Sequence, residues 1–75
     1  MEKTTGQKLK ESREDKDLKQ VYVAKILDTS QTMIWQWEND KAVMKIDKLK
    51  KLCLLYGVSA DYILGLPKNM KYPGR

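Results

Sequence analysis

The sequence predicts a small all-α domain of five short helices, and three observations lead there. Apolar residues recur three and four apart in the segments 19–27, 31–37 and 46–56, the spacing of one helix face. Ser, Thr, Gly and Pro stand where those segments begin and end. No segment alternates apolar and polar residues as a strand would, and no internal repeat is visible. With 75 residues, the chain has room for one core and buries only about 60% of its unfolded surface. Hydrophobic residues at 41% and charged ones at 33% suit a compact helical domain better than a disordered segment.

Thr4 opens the first helix, and Gln7 supplies the reciprocal half of a capping box. That helix runs to Glu14 or Asp15 with Leu9 inward and Lys8, Lys10 and Glu11 outward. Its apolar face is thin, so it depends on tertiary packing. Leu18 plugs the turn into a second helix near Lys19–Leu27, where Val23, Ala24 and Leu27 recur at helical spacing. Asp28-Thr29-Ser30 breaks the pattern, and Ser30 caps a third helix, Gln31–Trp37, with Ile34 and Trp37 on one side. After a loop from Asn39 to about Met44, Ile46, Leu49, Leu52, Cys53 and Tyr56 line one face of the fourth helix. Lys48, Lys50 and Lys51 lie off that face and read as solubilising charges. Gly57 ends the helix. Ser59 caps a fifth, Asp61 sits in its positive first turn, and Gly65 and Pro67 stop it. The domain is expected over residues 1–66, followed by a basic C-terminal tail over 67–75.

Fifteen Lys and Arg against ten Asp and Glu leave a net charge of +5. Such an excess points to an anionic partner, most commonly nucleic acid. The chain has no histidine, which removes His-liganded metals and His general bases. The single Cys53 makes neither an intramolecular disulfide nor a zinc site, and it fits a reducing cytoplasm. No nucleophile–base pair suggests itself, so no catalytic residue, metal or cofactor is expected, and the protein reads as a binding module rather than an enzyme. The first six residues form no signal-peptide core, and no apolar run approaches the roughly 20 residues of a membrane helix. The expectation is a soluble cytoplasmic protein.

A second helix, a three-residue turn and a short third helix suggest helix-turn-helix geometry, and the residues strengthen it. The run Leu18-Lys-Gln-Val-Tyr-Val-Ala24, then Ser30-Gln-Thr-Met-Ile-Trp-Gln-Trp-Glu-Asn39, resembles the phage-repressor/Cro-type helix-turn-helix family, also called the xenobiotic-response-element family. Arg13, Leu49 with Leu52, and Tyr56-Gly-Val-Ser59 before Asp61 match it as well. The likeness runs from Gly6 to Leu66 without a gap. Departures are Asp28 and Asp40 where the family favours Gly, Met44 for a common Pro, and Val21 and Tyr22 for charged residues. Asp tolerates a left-handed backbone better than most residues. Its charge at position 40 is expected near the DNA backbone, where it would weaken binding or move the loop.

The resemblance implies a lambda-repressor-like DNA-binding domain acting as a transcriptional regulator, most often a repressor. Its third helix would lie in the major groove with Gln31, Thr32 and Gln36 at base edges. A Gln amide suits adenine N6 and N7, and Thr32 offers a hydroxyl and a methyl. Met33 is placed at the edge of this surface. Gln20 is implied to hold a phosphate while buttressing the third helix, close to the free N–H groups of the second. Asn39 and Lys41 match a second phosphate clamp, with Lys19 and Lys45 as additional partners. Arg13 and Glu38 are implied to bridge the first helix to the end of the third.

Trp37 belongs to the core, whereas Trp35 lies roughly 200° around the helix axis and is expected to be largely exposed. Packing on deoxyribose, packing on a second subunit and a bare surface position all remain open for it. Val21, Tyr22, Ile26 and Leu54 or Leu55, with Ile63, Leu66 and Tyr72, are candidates for a dimer interface. A homodimer on two half-sites about 34 Å apart would give usable specificity. The rival reading is an antitoxin-type interaction module of the same fold, which binds a protein partner and uses DNA only to autoregulate.

Overall fold

The computed structural model describes residues 2–67, and the expected tail beyond them, with Tyr72, lies outside the described residues. Five helices follow in order: α1 (Thr5–Asp15), α2 (Gln20–Ile26), α3 (Gln31–Glu38), α4 (Ile46–Tyr56) and α5 (Ala60–Leu64). No strand occurs among the described residues. The helix starts follow from local chemistry. Gln7 N–H donates to Thr4 Oγ1 at 3.1 Å and Thr4 N–H donates to Gln7 Oε1 at 2.8 Å, closing the capping box. The Ser30 and Ser59 hydroxyls each accept from the backbone N–H three residues on, at 3.1 Å. Lys19 and Lys45 occupy the N-cap positions of α2 and α4 without a side-chain cap bond, so packing must hold those two starts.

All five helices end in a residue turned left-handed, and only two of those residues are glycine. Gly57 and Gly65 follow α4 and α5 at φ +68° and +73°. Asp17, Asp28 and Asp40 do the same after α1, α2 and α3 at φ 55°, 54° and 57°. A left-handed L-residue costs about 1–2 kcal/mol, less for Asp. Asp40 offsets this cost: its Oδ1 accepts the Gly6 N–H at 2.9 Å and its Oδ2 accepts the Thr4 hydroxyl at 2.5 Å. Its charge is therefore spent on the unpaired donors and positive dipole at the N-terminus of α1. Among the described residues no such bond holds the side chain of Asp28. Asp28→Gly is expected to raise stability by about 0.5 kcal/mol, and Asp40→Gly to lower it by about 1 kcal/mol. Denaturant midpoints would check this, and shifts of the same sign would contradict the capping role.

Leu9, Val23, Ala24, Leu27, Ile34, Trp37, Leu52, Tyr56 and Ile63 form one core drawn from every helix. Leu18, Met33, Leu49 and Cys53 pack around its margin. Burial pushes the Tyr56 phenol and the Cys53 thiol up in pKa, so both stay neutral packing groups. α1 and α3 approach each other closely at Gly6. A Cβ added at Gly6 would stand 2.5 Å from the Glu38 carbonyl oxygen and 2.7 Å from that of Trp37.

Three sequence expectations are corrected. Ile46 does not join the inner stripe of α4 but is 85% exposed, because the first turn overhangs the core. Ile63 is wholly buried and offers nothing to a dimer interface. Lys48 is more than a solubilising charge: its Nζ donates at 2.5 Å to the carbonyl of Leu27, at the end of α2. That bond ties α4 to the turn before α3.

Candidate nucleic-acid interface

The surface begins with the turn between α2 and α3. Asp28 turns left-handed, the Thr29 N–H closes on the Ala24 carbonyl at 2.9 Å, and Ser30 restarts the helix. The chain thereby passes from α2 into α3 through a short turn, and α3 packs on α2 through buried Val23, Ala24 and Ile34.

On α3, Ile34, Trp37 and Glu38 turn inward. Helical spacing arranges the remaining side chains in two adjacent rows, Gln31 with Trp35 and Thr32 with Gln36, each pair one turn apart. Gln31 and Thr32 are exposed, Trp35 is 48% exposed and Gln36 is half-buried. The three residues expected to meet bases therefore share one face. Met33 is half-buried against the core, at the edge of that face as expected.

A chain of hydrogen bonds fixes the first residue of that face from inside the protein. Arg13 Nε donates to Glu38 Oε2 at 2.7 Å and Arg13 Nη2 donates to Glu38 Oε1 at 3.1 Å, a bidentate pair joining α1 to the end of α3. The Arg13 and Glu38 side chains are only 11% and 2% exposed. Arg13 Nη1 also donates to the Leu18 carbonyl at 2.8 Å. Bonding to Glu38 raises the Arg13 pKa above its already high value, which keeps the guanidinium charged. Gln20 Nε2 then donates to Glu38 Oε1 at 3.0 Å, and Gln31 Nε2 donates to Gln20 Oε1 at 3.4 Å. Each amide has two N–H groups and one carbonyl. After these bonds Gln31 retains one N–H and its carbonyl, the set that a bidentate contact to adenine requires. Gln20 retains one N–H.

The residues beyond α3 are arranged differently. Asn39 Nδ2 donates to the Trp35 carbonyl at 2.9 Å. The main-chain N–H groups of Asn39, Asp40 and Lys41 return to the carbonyls of Trp35, Trp37 and Gln36. None of these three backbone amides is left over. What remains for an anion is the second N–H of Asn39 and the ammonium of Lys41. Lys19, Lys41 and Lys45 are exposed, and their side chains make no hydrogen bond or ion pair among the described residues. Lys41 also borders a separate cleft of about 400 Å3 whose wall includes Trp37, Val43, Met44 and Leu64.

Three residues have local roles here that were not identified from the sequence. Gly6 and Asp40 join the start of α1 to the end of α3, through contacts that reach across more than 30 residues and leave no local signal. Trp35 lines a shallow depression of about 240 Å3 with Gln20, Gln31 and Thr32. The available signal was its position four residues after Gln31. Among the described residues no cluster of His, Cys, Asp and Glu could hold a metal, and no helix is long and apolar enough to cross a membrane.

A search of curated proteins finds no match to this chain. A family model described as a helix-turn-helix domain matches residues 6–68, which include all of α2, the turn and α3. With the two helices packed as described and α3 presenting its polar face outward, the chain belongs to the helix-turn-helix domain family, and DNA is the partner this implies.

Proposed function

We propose that the protein is a sequence-specific DNA-binding transcriptional repressor of the phage-repressor/Cro type, working in the cytoplasm as a homodimer. The observation that carries this reading is the Arg13–Glu38–Gln20–Gln31 chain. It holds a base-reading amide in place before DNA arrives, so less ordering is required on binding. In this reading α3 enters the major groove and Gln31, Thr32 and Gln36 meet base edges. Gln20, Asn39 and Lys41 hold phosphates with Lys19 and Lys45, setting register without conveying sequence. Two copies on an inverted repeat supply the discrimination that one short helix lacks. Exposed Leu54 and Leu66 are available for pairing. Bound at a promoter, the dimer would exclude polymerase.

Mutant binding curves test these roles. Gln31→Ala or Gln36→Ala is expected to leave the fold intact and relax discrimination at one base pair by about 1–3 kcal/mol. Equal loss on every sequence would remove those side chains from base reading. Lys41→Ala is expected to weaken all sequences alike and lower the salt slope by about one. An unchanged slope would take Lys41 off the phosphate.

A second reading is favoured by one surface. Val21, Tyr22 and Ile26 leave about half of each side chain exposed on α2, at 50%, 46% and 47%. That face suits a protein partner of the antitoxin type, with DNA binding reduced to autoregulation. Co-purification of a stoichiometric partner lost in Tyr22→Lys, with DNA binding unchanged, would support it.

A further inference from the structure

We propose that Trp35 is a specificity-determining residue that reads the 5-methyl group of a thymine beside the base pair contacted by Gln31. This rests on the DNA-binding reading above and names a further group that the same surface recognises. Three observations carry it. Trp35 stands one turn after Gln31 on the outward row of α3, about half exposed, while Trp37 two residues later is buried in the core. Its indole forms a wall of the depression that Gln20, Gln31 and Thr32 complete, and most of that lining is carbon. The bond from Gln31 to Gln20 draws the two amides together along that depression, so its polar groups are partly engaged with each other.

The chemistry of the occupant follows. A half-exposed indole bounded by engaged amides and a Thr side chain favours an apolar protrusion over a charged one. In the major groove the thymine methyl is the apolar group that base pairs display. Gln31, with one N–H and its carbonyl free, would take the adenine of one pair while Trp35 and Thr32 enclose the methyl of the next. Deoxyribose is the competing apolar surface, but it would be met equally on every sequence. The two differ in what they predict for a single methyl group.

Uracil scanning measures that difference. Duplexes selected from a random pool are resynthesised with each thymine replaced in turn by uracil, which removes only the 5-methyl group. The wild-type protein is expected to lose about three- to fivefold in affinity at one thymine per half-site. Trp35→Ala should bind the parent duplex more weakly by a similar factor and be indifferent to uracil there. Trp35→Phe, which keeps an apolar wall, should retain the methyl preference. Emission from Trp37 alone then reports that each variant is folded. Wild-type affinity insensitive to every uracil, with Trp35→Ala weakening all duplexes alike, would overturn the proposal and place Trp35 on the sugar. Unchanged binding by Trp35→Ala would overturn it by leaving Trp35 off the DNA. Failure of the wild-type protein to enrich any duplex would instead remove the DNA-binding reading on which it rests.

Discussion

Glu38→Ala is expected to cost about 3–5 kcal/mol of stability, the range for removing one partner of a buried ion pair. A domain of this size has roughly 4–11 kcal/mol in total, so the variant should lose a substantial share of its stability margin. The loss comes mainly from what is left behind. Without Glu38 the Arg13 guanidinium stays between α1 and α3 with the Leu18 carbonyl as its one remaining partner, and Gln20 loses its anchor. Circular dichroism during urea titration would show the midpoint falling steeply. The double variant Arg13→Met, Glu38→Leu removes both charges and should recover most of the stability, since apolar replacement of a buried pair is often neutral. DNA affinity should not recover with it, because Gln20 and Gln31 are no longer held. Recovery of both would show that the chain from Glu38 to Gln31 is not what orders the interface. A small effect of Glu38→Ala alone would show that the pair is far wetter than its burial indicates.

Gly6→Ala is the second large effect, and its sign opposes helix propensity. In an open helix the exchange stabilises by about 0.5–1 kcal/mol. Here the new Cβ meets the backbone oxygens of Glu38 and Trp37 at 2.5 Å and 2.7 Å, neither of which can rotate away. α1 must move off the end of α3, at the 1–3 kcal/mol typical of overpacking. The same movement strains the Gly6 N–H bond to Asp40. A loss of about 2 kcal/mol would lower the melting temperature by roughly 8–16 °C. A rise in melting temperature would show that the two helices separate freely.

The order and type of all five helices were legible because the signals are local. Thr4 with Gln7, Ser30 and Ser59 start helices through bonds spanning three residues, and Gly57 and Gly65 end them. Asp28 and Asp40 were readable as left-handed from the family's glycines, whereas Asp17, with no glycine to compare, was not. Ile46 misled because periodicity places a residue on a stripe without saying where the core beneath it ends. Ile63 misled in the opposite direction: α5 is only five residues long, too short for its inner face to be read from spacing.

The interface divides along the same line. Which α3 side chains face outward followed from the helical repeat and from buried Ile34 and Trp37. The Arg13–Glu38 bridge and the buttressing role of Gln20 were implied by the resemblance, but their linkage through Glu38 and Gln20 to Gln31 was not, since these residues come from three helices and meet only in the folded chain. Gly6 reads in sequence as a poor helix former, and its reason is a backbone more than 30 residues away.

The most direct measurement selects duplexes from a random DNA pool at near-physiological salt and sequences those bound by the folded protein. A sequence-reading dimer predicts an enriched inverted repeat with half-site centres about one helical turn apart. It also predicts weaker enrichment at one position of each half-site for Gln31→Ala. No enrichment of any sequence by protein shown to be folded would contradict DNA reading by α3 and leave the apolar face of α2 as the functional surface.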